Sequence, residues 1–176
     1  MGEDLQQLMS QPEPEVHLRD FVEADRPKLD EWARRIDSAQ YMSRYTPKAV
    51  HAAVTTDQER LHWWYVIVAD GAEVGTVWLE QDQRSDTVVL GILLGDSPLF
   101  GHGIGRNAIN LAIEQAGRGG SFRLVRLNVR ADNARAIGCY ERCGFHVAGS
   151  GTRQAGGKEF RYLSMEKVLG SGEGTR

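Results

Sequence analysis

The stretch from Val88 to Ala116, VVLGILLGDSPLFGHGIGRNAINLAIEQA, constrains the fold more than any other. It opens on an apolar run, Val88 to Leu94, short and rich in β-branched and aliphatic residues, which reads as a buried strand. Gly95-Asp96-Ser97-Pro98 breaks that run as a turn. Phe100-Gly101-His102-Gly103-Ile104-Gly105-Arg106-Asn107 then leads directly into a helical pattern, with Ile104, Ala108, Leu111 and Ala112 on one face. A loop of this kind aims free backbone N–H groups outward from a helix N-terminus, where the helix dipole also favours an anion. Its glycines let a phosphate approach the main chain with no Cβ in the way, and Arg106 can add charge-assisted hydrogen bonds at the rim. Glycine turns between a strand and a helix also occur without any phosphate, so the loop alone leaves both readings open. Two sharper phosphate motifs are excluded. A dinucleotide fingerprint needs a third glycine where Arg106 stands, and a triphosphate loop needs Gly-Lys-Ser/Thr, which is absent.

The chain is 176 residues long, enough for one domain with a sizeable core. A net charge of −3 does not mark a nucleic-acid binder. No apolar run approaches the roughly 20 residues that a membrane span needs. The start, MGEDLQQLMSQPEPE, is acidic and polar rather than signal-like, so a cytoplasmic location is expected. Cys139 and Cys143, the only two cysteines, make neither a disulfide framework nor a zinc site and read as small buried hydrophobes. No metal site is expected.

Residues 1–14 read as a flexible leader, 15–169 as one domain and 170–176 as a flexible tail. Val16 to Phe21 alternates like a half-buried strand. A helix follows from Asp25, with Pro27 in its first turn and Leu29, Trp32, Ala33 and Ile36 as its apolar face. Residues 37–56 carry no clear period. Trp63 to Val68 and Glu73 to Glu80 form two strands around Asp70-Gly71, a hairpin signal that Ala69 and Ala72 are expected to widen. After the central helix, Gly117, Gly119 and Gly120 stop the pattern. Phe122 to Val129 is a strand, Asn133 to Cys143 a helix, and strands follow from Gly144 and from Lys158 to Val168. Strands cluster first and then alternate with helices, which predicts an α/β fold with a mixed sheet and helices on both faces.

The helix after the fifth strand carries a second pattern, Asn-x-x-Ala-Ile-x-x-Tyr-Glu-x-x-Gly-Phe, at Asn133, Ala136, Ile137, Tyr140, Glu141, Gly144 and Phe145. Together with the glycine loop, one strand away, it resembles the GNAT superfamily of N-acetyltransferases. The match is clear over roughly residues 74–148. One position departs: Phe100 stands where the family often has Gln or Arg. The form Leu-Phe-Gly-His-Gly-Ile-Gly is similar to an aromatic variant found in acetyltransferases of ribosomal protein N-termini, spermidine and some aminoglycosides. The resemblance implies a mostly antiparallel sheet with splayed fourth and fifth strands. It also implies acetyl-CoA as co-substrate and an amine as acceptor, with a homodimer a common arrangement among such proteins.

The resemblance implies a set of donor-binding residues: Ile92, Leu93 and Leu94 of the central strand, Phe100, Gly101, His102, Gly103, Ile104, Gly105, Arg106 and Asn107 of the loop, and Asn133, Arg135 and Tyr140 of the later helix. The loop would hold the pyrophosphate, and the free edge of the strand would hold the pantetheine arm by strand-like hydrogen bonding. The N–H of Leu93 or Leu94 would polarise the thioester carbonyl. Gly91 is either the bulge that splays the strands or a packing glycine. Asn133 is a pantetheine ligand, a helix cap, or both. Tyr140, otherwise a packed aromatic, is the candidate general acid, because a phenol stays protonated at neutral pH and can protonate a departing thiolate. Glu80 is the first candidate for the base and Asp86 the second, although either fits a solvated turn. Glu141 and His146 are read as structural and surface residues. Trp32 and Tyr41 either line an amine pocket or pack the core. The expected activity is transfer of acetyl to a small amine, an aminoglycoside-like molecule or a protein N-terminus. The alternatives are an idle CoA-binding sensor or assembly protein of the same fold, and a nucleotide-binding regulator.

Overall fold

A computed structural model describes residues 12–35, 46–47, 61–81, 85–155 and 157–170. Seven strands form one sheet in the order β1-β2-β3-β4-β5-β7-β6. They are β1 (Val16–Asp20), β2 (Leu61–Ala69), β3 (Ala72–Gln81), β4 (Thr87–Leu94), β5 (Leu124–Arg130), β6 (His146–Ala155) and β7 (Lys158–Val168). Three α-helices are described: α1 (Arg26–Arg35), α2 (Ile104–Gly119) and α3 (Ala134–Arg142). Every strand pairing is antiparallel except β4 with β5. The mixed sheet with helices on both faces is therefore as the sequence predicts. Tyr41 and Ile36 lie outside the described residues.

The β2–β3 hairpin is tighter than expected. Ala69 pairs with Ala72, so the loop is the two residues Asp70 and Gly71 alone. Both take left-handed backbone, with φ of 48° and 79°, as a two-residue hairpin turn of this hand requires. The two alanines close the ladder instead of widening it.

The large core lies between the sheet and the two later helices. It joins Ile67, Val77, Leu79, Val88 and Leu90 of the sheet to Ile104, Ala108, Ile109, Ala112, Ile113 and Ala116 of α2. Leu111, predicted on this face, is only half-buried, while Ile109 and Ile113 are buried. The helix lies on the broad surface of β1 to β3, and so buries a wider stripe, rotated toward Ile109. It also runs through Gly117 and ends at Gly119.

A smaller core occupies the opposite face: Leu29 and Trp32 of α1, Trp64 and Val66 of β2, Trp78 of β3 and Leu93 of β4. Phe21 stacks on Trp64 with ring centroids 3.6 Å apart. The Trp64 indole N–H donates to Thr76 Oγ1 at 2.7 Å, and that hydroxyl donates to the Tyr65 carbonyl at 2.8 Å. Trp32 is therefore packed in this core. An ion cluster ties this face together. Arg19 donates to both Asp25 oxygens, at 2.8 and 2.7 Å, and also pairs with Glu73, which Lys28 reaches as well.

Candidate functional site

The site begins with a gap in the sheet. The parallel β4–β5 ladder covers only Thr87, Val88 and Val89 against Leu124, Val125 and Arg126. Beyond it each strand keeps its outer partner, β4 out to Leu94 opposite Gly75 and β5 out to Arg130 opposite Tyr162. The two strands have parted from each other, which opens a wedge beside Leu90–Leu94. No bulge causes this. The β3–β4 register runs without a shift through Gly91 opposite Trp78. Gly91 serves packing instead: a Cβ there would lie 2.2 Å from the Trp78 indole.

The glycine loop stands at the open end of the wedge. Gly101 and Gly103 have φ of 87° and 81°, a left-handed backbone that favours glycine. Gly103 is the N-cap of α2 and offers no side chain to the first amides of the helix, so that end is left for an external acceptor. Three elements meet at Gly105: its Cβ position is 3.6 Å from Cys139 Sγ, 3.8 Å from Leu94 Cδ1 and 4.0 Å from Ile92 Cδ1. The Arg135 guanidinium lies 3.5 Å from the centroid of the Phe100 ring, which ties the first turn of α3 to the start of the loop. The structure thus brings together Ile92, Leu94, Phe100, the glycine loop and Arg135. Leu93 differs: its side chain is buried in the opposite core, and its main chain turns toward β3, as does that of Gly95, whose amide donates to the Val74 carbonyl at 2.8 Å. The β4 residues whose main chain faces the wedge are Ile92 and Leu94. His102 is exposed in the loop.

A carboxylate already lies on this loop. Glu13 Oε1 accepts from Arg106 Nη2 at 2.5 Å and Glu13 Oε2 from Asn107 Nδ2 at 3.5 Å. The carboxyl group sits 3.4–3.6 Å from the Cβ position of Gly103. The Arg106 hydrogen bond, then that of Asn107, holds Glu13 below the usual carboxylate range. The loop therefore fits an anion by its own geometry. Glu13 had no sequence signal, because its partners are 93 and 94 residues away.

On α3, Asn133 is the N-cap, its Oδ1 accepting from the Ala136 amide at 3.2 Å. Tyr140 is half-buried against the large core, edge-on to Phe145 with centroids 6.0 Å apart. Burial, and then the neighbouring thiols of Cys139 and Cys143, push its phenol up, so it stays protonated at neutral pH. Cys143 is buried but Cys139 is only half-buried, because it faces the loop. Hydrogen bonding to Cys143, and then the charges of Arg142, Arg106 and Arg135, favour the Cys139 thiolate.

Glu80 lies on the other face, 4 % exposed, in ladder register with His62 and Val89. Val89 is also the last β4 residue of the β4–β5 ladder. Glu80 therefore sits one strand away from where the wedge opens, on the α1 side, while Tyr140 sits on the α2–α3 side. It is not a solvated turn residue. Asp86 is exposed, and its carbonyl accepts from the Arg123 and Leu124 amides at 2.7 and 3.2 Å.

Comparison with known proteins bears on this geometry. The model of the acetyltransferase (GNAT) family matches residues 9–145. No curated protein matches by sequence. Among solved structures, the chain is similar to the Salmonella typhimurium acetyltransferase that modifies the N-terminal serine of ribosomal protein L7/L12. The identity is 16%, over 88% of this chain and 95% of that one, with a TM-score of 0.71. It is similar to an aminoglycoside acetyltransferase in complex with coenzyme A, at 18% identity over 88% and 95%, with a TM-score of 0.67. A GNAT acetyltransferase from Streptococcus pneumoniae gives 22% over 88% and 100%, with a TM-score of 0.67. At these identities the likeness speaks to fold.

Proposed function

The chain belongs to the GNAT acetyltransferase family, the acetyl-CoA-dependent N-acetyltransferases, and on that premise we propose how its own residues perform the transfer. The observation that carries the proposal is the coincidence of two features. The β4–β5 ladder ends at Val89 and Arg126, and the glycine loop with the α2 N-terminus stands at the open end of that wedge.

Main-chain N–H groups of residues 101–106, with the side chains of Arg106 and Asn107, hold the diphosphate; the Asn107 amide is already donated to the Gly103 carbonyl at 3.0 Å. The edge of β4 at Ile92 and Leu94 takes the pantetheine amides as an added strand. Asn133 and Arg135 close the α3 side. Of the two candidate oxyanion donors, Leu94 has its N–H on the wedge side of β4, and it polarises the thioester carbonyl as the amine attacks it; the Leu93 main chain faces β3. Tyr140, whose phenol is protonated at neutral pH, gives its proton to the departing thiolate. Glu80 accepts the amine proton through water from the opposite face of the sheet. Acid and base thus approach the wedge from its two sides, so the acceptor arrives from the α1 side. The acceptor is a primary amine, on a small molecule, an aminoglycoside-like molecule or a protein N-terminus. Protein N-termini and aminoglycosides are the substrates named for two of the similar structures.

Thiol release from acetyl-CoA, measured against a panel of amines, tests the activity. Turnover is expected with at least one amine class; binding of coenzyme A with no turnover across the panel would favour the sensor. With an active amine in hand, Tyr140→Phe is expected to lower kcat about 100-fold, the low end for a lost general acid. Coenzyme A affinity should stay the same, and an unchanged kcat would remove Tyr140 from that role.

A further inference from the structure

The segment before β1 crosses the mouth of the proposed donor site. Its far end is pinned: the Glu15 amide donates to Asp70 Oδ1 and the Asp70 amide donates to the Glu15 carbonyl, each at 2.9 Å. Pro14 lies between, and it restricts Glu13 to extended backbone. From this anchored position Glu13 reaches three features that a diphosphate would use: the Arg106 guanidinium, the Asn107 amide and the bare face of Gly103.

We propose that Glu13 is an internal occupant of the diphosphate cradle, a carboxylate that the donor must displace before it binds. The inference rests on the reading of the loop as the diphosphate site. A carboxylate brings one charge and two oxygens, whereas a diphosphate brings more of both, so Glu13 lowers donor affinity without blocking the site. Its exposure makes it releasable, since its side chain is 59% exposed and that of Arg106 34%. Apparent affinity falls by the fraction of molecules in which the cradle is filled. Glu13 also keeps the Arg106 guanidinium paired while the donor is absent.

The test is titration of coenzyme A, and separately of inorganic pyrophosphate, into the wild-type chain, Glu13→Gln and Glu15→Gln. Thermal melts check that each is folded. Glu13→Gln is expected to tighten both ligands about two- to fivefold, the range open to one exposed ion pair. Glu15→Gln makes the same charge change two residues away and is expected to leave both affinities unchanged. Equal or weaker binding by Glu13→Gln, or equal tightening by both variants, would overturn the proposal while leaving the donor site intact. If the wild type and Glu13→Gln both bind neither ligand, the donor site itself falls, and the proposal with it.

Discussion

The two faces of the sheet are built by different means. On the α2–α3 side the core is mostly aliphatic and the site above it is largely main chain: positive-φ glycines, a helix N-terminus and a strand edge without a neighbour. On the α1 side the core is three tryptophans with Leu29, Val66 and Leu93, and polar groups are buried within it, among them Thr76, Asp25 and Glu80. The contrast lies in what a sequence can record. Main-chain donors at positive-φ glycines need only local glycine spacing, which a short motif writes. A core of large side chains with buried polar groups draws on a helix and three strands, and no short motif writes that.

If that division holds, substitutions on the two faces should separate donor binding from stability. The largest effect is expected from Gly103→Val. Its φ of 81° costs a β-branched residue about 1–2 kcal/mol, and its side chain would cover the anion face. Loss of two charge-assisted contacts there would weaken coenzyme A binding about 100-fold, read by calorimetry. Retained affinity in a folded Gly103→Val would break the comparison on the donor side.

Gly95→Ala probes the other face. A Cβ at Gly95 would lie 2.0 Å from Trp32 Cδ1, so the indole must shift. The expected result is a stability loss of about 1–3 kcal/mol by denaturant unfolding, the usual range for overpacking. Donor affinity should stay within about twofold, because the added methyl points at Trp32 on the α1 side and not into the wedge. A large loss of donor affinity would show that the two faces are coupled.

The smallest effect sharpens the contrast through pH. Hydrogen bonds from Arg19 foremost hold the Asp25 carboxyl below its ordinary value of 3.8, and Lys28 and Arg19 lower Glu73 from 4.5. Folded values below unfolded ones mean that the stabilisation is present above the ordinary range and is lost as pH falls through the lowered values. Asp25→Asn is expected to cost about 1 kcal/mol at neutral pH, a charged hydrogen-bond value discounted for the partly exposed Arg19. The gap to wild type should close as pH falls below 3.8. A gap that is independent of pH would assign the loss to packing.

Much of the donor half was legible because its signals are local. Strand, glycines and helix follow one another within Val88–Ala116, and Asn133 precedes the helix that it caps. Other features depend on partners that are remote in sequence. Gly91 reads equally as a bulge or a packing glycine until Trp78 is seen lying across it. Leu111 and Ile109 differ in burial only because α2 lies across three strands. Trp32 is committed to the core by Gly95, more than sixty residues on. Glu13 is the extreme case: an acidic residue next to prolines looks like solvent-facing chain, and only the tertiary fold sets it against Arg106.

The most direct measurement is a crystal structure of this chain with coenzyme A. The diphosphate should lie within hydrogen-bond distance of amides among residues 101–106, the pantetheine arm along Leu90–Leu94, and the sulfur toward the Tyr140 hydroxyl, with Glu13 released from Arg106. A coenzyme bound elsewhere, or one whose sulfur faces away from Tyr140 while the β4–β5 wedge stays empty, would contradict the central claim.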